Sequence, residues 1–480
     1  MSNNQEPVKQ PSPESKDTFL AKNQKVLKEL MTFSRIVSDS LNIGFIEVNL
    51  AQDRTKLVEY LQQQLNNPEI QLIVLDFPDP DLQFLRDAIV AELKNIAIDP
   101  AKKLVLLITG LEKAIGVTEE YPKILVDLNY IRDDLRNSIP HPILFLLPEY
   151  ALTRLANYAP DFWAWGRKVF SFRAVQSEVD SIAKRILFVD DDTDNFKLEA
   201  KQKRIELLYC LLSEYQAKNK ILLISKILNQ LGDIYYILGD YQEVFRYYQQ
   251  ALDICRKSGD FNGEAISLSN LGLVYSGVEK YQQSTDFHRQ SLTIAQEIDD
   301  LRIQAISLVS LGNVYNSLGG NQESIDYSRQ SLTIAQEIND YEIQAASLVS
   351  LGNAYNNVGR SQESIDYSQK ALTIAIRINN YMLQAVALNS LGISYNRSGK
   401  YKQAVDYYKQ SLTIIQELGD RKSQAISLIN LGGSFQNLKQ ISEAKEAYQQ
   451  GKKIFVKLEL EKDVARCDRS LKNLGHPDPQ

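Results

Sequence analysis

The dipeptide Leu-Gly returns at a fixed interval through the second half of this chain. It stands at Leu231-Gly232, Leu271-Gly272, Leu311-Gly312, Leu351-Gly352, Leu391-Gly392 and Leu431-Gly432, and 271 − 231 = 40 at every step. An aromatic residue follows four positions after each leucine, as Tyr235, Tyr275, Tyr315, Tyr355, Tyr395 and Phe435. A fixed period of this size means stacked supersecondary units, each resting on its neighbours, and not one globular core. A stack of that kind presents a long continuous surface, which points first to recognition of another macromolecule.

The unit from Leu301 to Asp340 reads as a pair of helices. Ala305, Leu308, Leu311, Gly312 and Tyr315 fall on one helical stripe. Ser317-Leu318-Gly319-Gly320 interrupts it, with Gly319 suited to the left-handed residue that ends a helix. Ile325, Ser328, Leu332 and Ala335 form the second stripe; Ser328 is its weak member, since Tyr248, His288, Tyr408 or Tyr448 stands there in other units. Asp260, Asp300, Asp340, Asn380 and Asp420 are good N-caps for the following helices. Mid-helix glycine costs about 1 kcal/mol relative to alanine. Gly312 and its equivalents therefore predict a close crossing of the two helices.

These residues resemble the tetratricopeptide repeat. Leu311, Gly312, Tyr315, Gly319 and Ile325 stand at signature positions of that family, and Ser331 stands where a small residue is usual. The usual unit has about 34 residues, and the longer hairpin here is similar to that of spindle-orientation scaffolds, kinesin light chains and bacterial regulators. The resemblance covers 221–460 as six units, with 461–480 expected to form a capping helix and tail. Glu279 and Lys439 replace the turn glycine, Gly451 replaces a serine or alanine, and Lys472 follows Leu471 where glycine would be. Atypical units are expected at the edges of an array.

The resemblance implies that the first helix of each hairpin lines a concave groove. Two and five residues after each leucine stand Asp233 and Tyr236, Leu273 and Ser276, Asn313 and Asn316, Asn353 and Asn356, Ile393 and Asn396, Gly433 and Gln436. Asn357, Arg397 and Asn437 come next to them. Asn313, Asn316, Asn353, Asn356, Asn357, Asn396, Arg397 and Asn437 are thus the expected partner-binding residues, because a carboxamide both donates to and accepts from a peptide backbone. The same residues could simply keep an exposed face soluble. The groove lacks the Lys/Arg set that carboxylate-gripping tetratricopeptide domains use.

A net charge of −6 and a pI near 5.5 disfavour nucleic acid and anionic membranes as partners. Cys210, Cys255 and Cys467 are odd in number and far apart, which suits reduced thiols in a cytoplasmic protein. Residues 1–22 are polar and read as a disordered tail without a signal peptide. No apolar run approaches the roughly 18 residues of a membrane helix.

Residues 23–178 alternate short apolar runs with amphipathic segments: Ile43–Val48, Arg54–Leu65, Ile70–Leu75, Asp81–Ile96, Leu104–Ile108, Glu119–Arg136, Ile143–Leu147, a helix from Glu149, and Val169–Phe172. This predicts a five-stranded parallel sheet in a three-layer α/β domain. Residues 179–220 are expected to be a helical linker, broken by the acidic run Asp190–Asp194, a solvated hinge lacking the spaced ligands of a calcium loop.

The α/β pattern, with Leu104 to Glu112, resembles the core of the AAA-related signal-transduction ATPases, which often carry helical repeats behind the ATPase. A phosphate loop would follow the first strand. The segment there is Val48-Asn49-Leu50-Ala51-Gln52-Asp53-Arg54-Thr55, with no glycine and a carboxylate at Asp53. Thr109 stands where the Walker B acid would be, and Glu112 is either a remnant or a surface residue. The domain therefore reads as a degenerate, pseudo-ATPase scaffold. Ala159-Pro160-Asp161-Phe162-Trp163-Ala164-Trp165 resembles segments that join such domains to tetratricopeptide repeats in bacterial proteins; its aromatics either plug the sheet or form a docking surface. His141, His288 and His476 are scattered, with no triad or zinc spacing.

The expected protein is multidomain: a degenerate P-loop-like α/β domain, then an all-α solenoid. Its expected role is a non-enzymatic scaffold, without cofactor or metal, holding a protein or peptide in the groove. The alternative is a nucleotide-dependent switch in which the α/β domain gates the array.

Overall fold

The computed structural model describes residues 18–36, 41–116, 122–187 and 197–474. Residues 1–17 of the expected tail and the acidic run Asp190–Asp194 lie outside them. The described residues divide into two compact units: one runs up to residue 187 and includes Ile205–Ala217, and the other comprises 197–204 and 218–474.

The first unit is built on five parallel strands, β1 (Ile43–Glu47), β2 (Ile70–Asp76), β3 (Lys103–Thr109), β4 (Ile143–Leu147) and β5 (Gly166–Ser171). Their order is β2-β3-β4-β1-β5. β4 is buried along its whole length and β3 along its centre, as the continuous apolar runs demand of strands covered on both faces. Val105, Leu107, Leu144 and Leu146 pack with Leu57, Leu61 and Leu65 of the helix Ala51–Leu65. Within the expected tail, Thr18–Lys22 is helical and Phe19 is buried against Phe172. The short helix Pro160–Trp163 resolves the aromatic alternatives in favour of a plug. Phe162 is buried with its ring 5.5 Å from Phe145, and Trp163 stacks on Phe45 at 4.8 Å.

The second unit consists of six helical hairpins and a cap. The hairpins pair Ile221–Leu238 with Tyr241–Ser258, Phe261–Gly277 with Tyr281–Glu297, Leu301–Leu318 with Asn321–Glu337, Tyr341–Asn357 with Ser361–Arg377, Tyr381–Arg397 with Tyr401–Leu418, and Arg421–Asn437 with Ile441–Lys457; Glu461–Leu474 is the cap. The expected caps form: Asp260, Asp300, Asp340, Asn380 and Asp420 each accept from the backbone N–H three residues on, at 2.8–3.0 Å. Gly239, Gly319, Gly359 and Gly399 take the left-handed conformation at the turn, and Glu279 and Lys439 adopt it without glycine's freedom.

The glycine of each Leu-Gly pair marks the helix crossing. A Cβ on Gly232, Gly272, Gly392 or Gly432 would lie within 2.3–2.8 Å of the ring of Tyr248, His288, Tyr408 or Tyr448. In hairpins 3 and 4 the opposing residues are Ser328 and Ser368. Their hydroxyls reach the next hairpin, Ser328 to Ser350 at 2.8 Å and Ser368 to Ser390 at 2.9 Å. The weak position of the stripe is therefore a buried polar link between hairpins.

Successive first helices pack on one another, and among the described residues the second helices do not do so to the same extent, so the first helices line the inside of the curve. The curve closes. The first helices of hairpins 1 and 6 touch, and Lys422 Nζ donates to the Gly277 carbonyl. Lys462 pairs with Glu279 at 3.0 Å. Tyr241 packs against the apolar cluster of hairpin 6 and the cap. One finding departs from the sequence reading of membrane-length segments. Ile221–Leu238 is long and apolar enough to cross a membrane by length and composition, and in the array 61% of it is buried.

Candidate functional site

Two places could carry function: the crevice at the end of the sheet, and the inner face of the array. In the sheet the chain leaves β1 towards β2 and leaves β4 towards β5, in opposite directions along the strand order. Parallel sheets bind ligands at such a reversal, beyond the carboxyl ends of the strands. Here Asn49 and Glu149 face each other across it: the Glu149 N–H donates to Asn49 Oδ1 at 2.8 Å, and Asn49 Nδ2 approaches Glu149 Oε2 at 3.4 Å. Burial, with the Glu47 carboxylate nearby, pushes Glu149 up to about 7.

Beside this pair Arg54 occupies the loop where phosphates would lie. One guanidinium nitrogen donates to the carbonyls of Val48 and Asn49 at 3.2 and 3.3 Å. The other is 3.3 Å from Glu206 and 3.5 Å from Glu112. A phosphate loop offers amide N–H groups to an anion; this loop offers carbonyls to a cation of its own. Glu112, open in the sequence reading, is a buried partner of that cation. The segment Ile205–Ala217 covers the same end of the sheet, with Tyr209 stacked on Tyr150 and Arg173 donating to the Ser213 carbonyl. The small cavity left there is lined by Asp53, Cys210 and Glu214 among others, and burial pushes the Cys210 thiol up to about 12.

On the inner face six of the eight expected residues form two linked groups. Asn357 Nδ2 donates to Asn316 Oδ1 at 2.9 Å, and Arg397 donates to Asn357 Oδ1 at 3.0 Å. Arg397 also donates to the carbonyl of Asn356. Farther along, Ser434 and Asn437 donate to Asn396 Oδ1 at 3.0 and 3.4 Å. Asn353 accepts from Ser390 at 2.8 Å. The ladder thus staples one hairpin to the next. Asn356 is 1% exposed, which removes it from the surface a ligand could touch. Asn313, Asn357, Arg397 and Asn437 are exposed, and Asn316, Asn353 and Asn396 are partly so. Near the other end Leu273 and Ile266 add exposed apolar surface that the asparagine pattern did not signal. Burial pushes Asp233 up to about 6, opposed by the Tyr248 hydroxyl donating to it at 2.7 Å.

A family model described as tetratricopeptide repeat matches residues 223–297, 303–377 and 383–455. These hairpins are tetratricopeptide repeats. Each matched stretch spans two of them, so the six 40-residue units are three consecutive pairs of tetratricopeptide hairpins. A search of curated proteins finds no match. Among solved structures the chain is similar to a Rap protein complexed with Competence and Sporulation Factor, at 18% identity over 62% of this chain and 91% of that one, with a TM-score of 0.43. It is similar to NprR in complex with its cognate peptide NprX, at 16% identity over 64% and 91%, TM-score 0.43. It is also similar to a signal transduction ATPase with numerous domains and a tetratricopeptide repeat sensor from Pyrococcus horikoshii, at 10% identity over 93% and 85%, TM-score 0.42.

Proposed function

We propose that this chain is a non-catalytic interaction protein that holds an extended segment of another protein against the inner face of its tetratricopeptide array, in the cytoplasm and without a cofactor. The observation that supports this most is the distribution of charge between the two helices of each hairpin. From Ile303 to Leu318, Ile343 to Val358 and Ser423 to Leu438 the inner helices contain no Asp, Glu, Lys or Arg, and from Leu383 to Ser398 they contain only Arg397. The outer helices carry charge throughout. A concave surface of carboxamides, hydroxyls and a few apolar groups suits a polypeptide main chain, and it offers little grip to phosphate, nucleic acid or an ionic tail.

The α/β unit acts in this reading as an inert scaffold, because Arg54 and its two carboxylate partners take up the phosphate position. Calorimetry with the whole chain is expected to show no ATP binding; a magnesium-dependent micromolar signal would reinstate the nucleotide switch. The groove is tested by a photo-crosslinking amino acid placed at Asn313 on the inner face or at Thr333 on an outer helix, in the native cell. Crosslinks to a discrete protein segment from position 313 and not from position 333 are expected. Equal capture from both positions would remove the groove from the proposal.

A further inference from the structure

The array has two kinds of joint. Between consecutive hairpins the buried part of the joint is apolar or hydroxyl-paired, and an ion pair such as Arg302 with Asp340 at 3.0 Å forms where the arginine side chain is exposed. Leu348, Val349, Ala371 and Ala387 form one such cluster, and buried hydroxyl pairs such as Ser331 with Ser347 at 2.8 Å cross others. Where the last hairpin and cap meet the first two hairpins the joint carries charge as well, beside the apolar contacts of Tyr241 with the hairpin 6 cluster and of Leu458 with Gly239. Asp420, Lys422, Lys462, Asp463 and Arg466 come from one side and Glu279 from the other, with Tyr241 between them. Burial holds Lys422 below the usual lysine range and raises Asp420 and Asp463. The Tyr241 hydroxyl is buried with no hydrogen-bond partner among the described residues.

The edge of the array shows the same contrast in sequence. The first residues of the first five inner helices are Ile221, Phe261, Leu301, Tyr341 and Tyr381, all apolar or aromatic and all exposed. At the seam the pattern changes to Arg421-Lys422 and Glu461-Lys462. Glu461 and Lys462 stay exposed beside the seam, so the charge drawn into it is that of the buried Asp463 and the partly buried Asp420 and Lys422, groups that a permanently buried joint disfavours. Ion pairs drawn out of water return much of their Coulomb gain as desolvation, whereas apolar joints gain in proportion to the area they bury. No short turn ties the two sides of the seam together, so its closure also orders a long stretch of chain. On these grounds the seam is the joint expected to part first, with the interfaces between consecutive hairpins left in place.

We propose that this seam is a polar latch, at which hairpin 6 with the cap parts from and rejoins hairpins 1 and 2, widening and narrowing the space inside the array. The latch does not depend on what occupies the inner face. If the groove holds a partner, the latch sets how that partner gets in.

The test places spin labels on Gln282→Cys and Glu461→Cys, both exposed sites beside the seam, in a chain whose own three cysteines are buried. At low salt a single short-distance population is expected. Raising the salt to about 1 M, where the screening length falls to about 3 Å, is expected to shift it to a broader, longer one while helical circular dichroism stays constant. Lys422→Glu is expected to cause the same shift at low salt. Glu279→Lys combined with Lys462→Glu is expected to keep the short distance. A short distance that survives both high salt and Lys422→Glu would overturn the latch. The salt series on the otherwise unsubstituted chain decides the matter if Lys422→Glu does not fold.

Discussion

The imidazole of His288 fills the space in which Gly272 would carry a Cβ, with Cε1 only 2.6 Å from that position. The ring is fully buried, and neither nitrogen has a hydrogen-bond partner among the described residues. Burial pulls its pKa down to about 4. The unfolded chain therefore binds a proton between pH 6.5 and 4 that the folded chain refuses. The array is expected to lose stability as pH falls through this window, by about 3 kcal/mol at pH 4. His288→Tyr, the residue at the same place in three other hairpins, is expected to remove this dependence and add about 1 kcal/mol at pH 7. Denaturant titrations at pH 4.5 and 7 check both; equal acid sensitivity in the two proteins would contradict the assignment.

Glu149 titrates with the opposite sign. Its folded value of about 7 lies above that of an ordinary glutamate, so the folded state keeps a proton that the unfolded state gives up. Its contribution is complete below pH 4.5 and is lost as pH rises towards 7. Glu149→Gln retains the facing of Asn49 and removes the charge. Because the residue keeps some contact with solvent, the expected gain at pH 8 is about 1–2 kcal/mol, read from the melting of the α/β unit, with no gain at pH 4.

Arg54 is held by two carboxylates that are themselves mostly buried. Arg54→Ala removes the guanidinium beside the mostly buried Glu112 and Glu206 and is expected to destabilise the α/β unit by about 2–4 kcal/mol. It is not expected to create ATP binding, because the segment Val48–Thr55 still has neither the glycines nor the lysine of a phosphate loop. Chemical denaturation and calorimetry on the same sample check both halves.

Two glycines in the inner helices should respond oppositely to alanine. A Cβ on Gly312 would lie 2.5 Å from Ser328 Oγ and 3.2 Å from the Ser324 carbonyl, whereas one on Gly433 meets nothing nearer than the Tyr448 hydroxyl at 3.7 Å. Gly312→Ala is expected to cost about 1–2 kcal/mol through overpacking. Gly433→Ala should gain up to about 1 kcal/mol from helix propensity. Thermal melts of the two variants side by side give the comparison.

The hairpins were legible because their signals are local: a capping carboxylate, a glycine at a crossing and an apolar stripe recur within each 40 residues. The strands were legible for the same reason, as short apolar runs with few competing periods. The asparagine ladder was legible only as polarity. Nothing in the spacing distinguishes a carboxamide waiting for a ligand from one bonded to the next hairpin, and Asn357 with Asn316 proved to be the second kind. The occupation of the phosphate position by Arg54 was hidden because Glu206 lies 152 residues away. The seam was hidden for a related reason, since Lys422 and Gly277 are 145 residues apart and no periodicity links them.

A tandem array made of near-copies can in principle grow or shrink by whole copies, since each joint resembles the last. Here the closing contacts fit only one number of copies. Inserting one more 40-residue unit would carry Lys462 past Glu279 and Leu458 past Gly239, and deleting one would leave them short of each other. The pairing that closes the array therefore counts its hairpins, and it stops the tally at six.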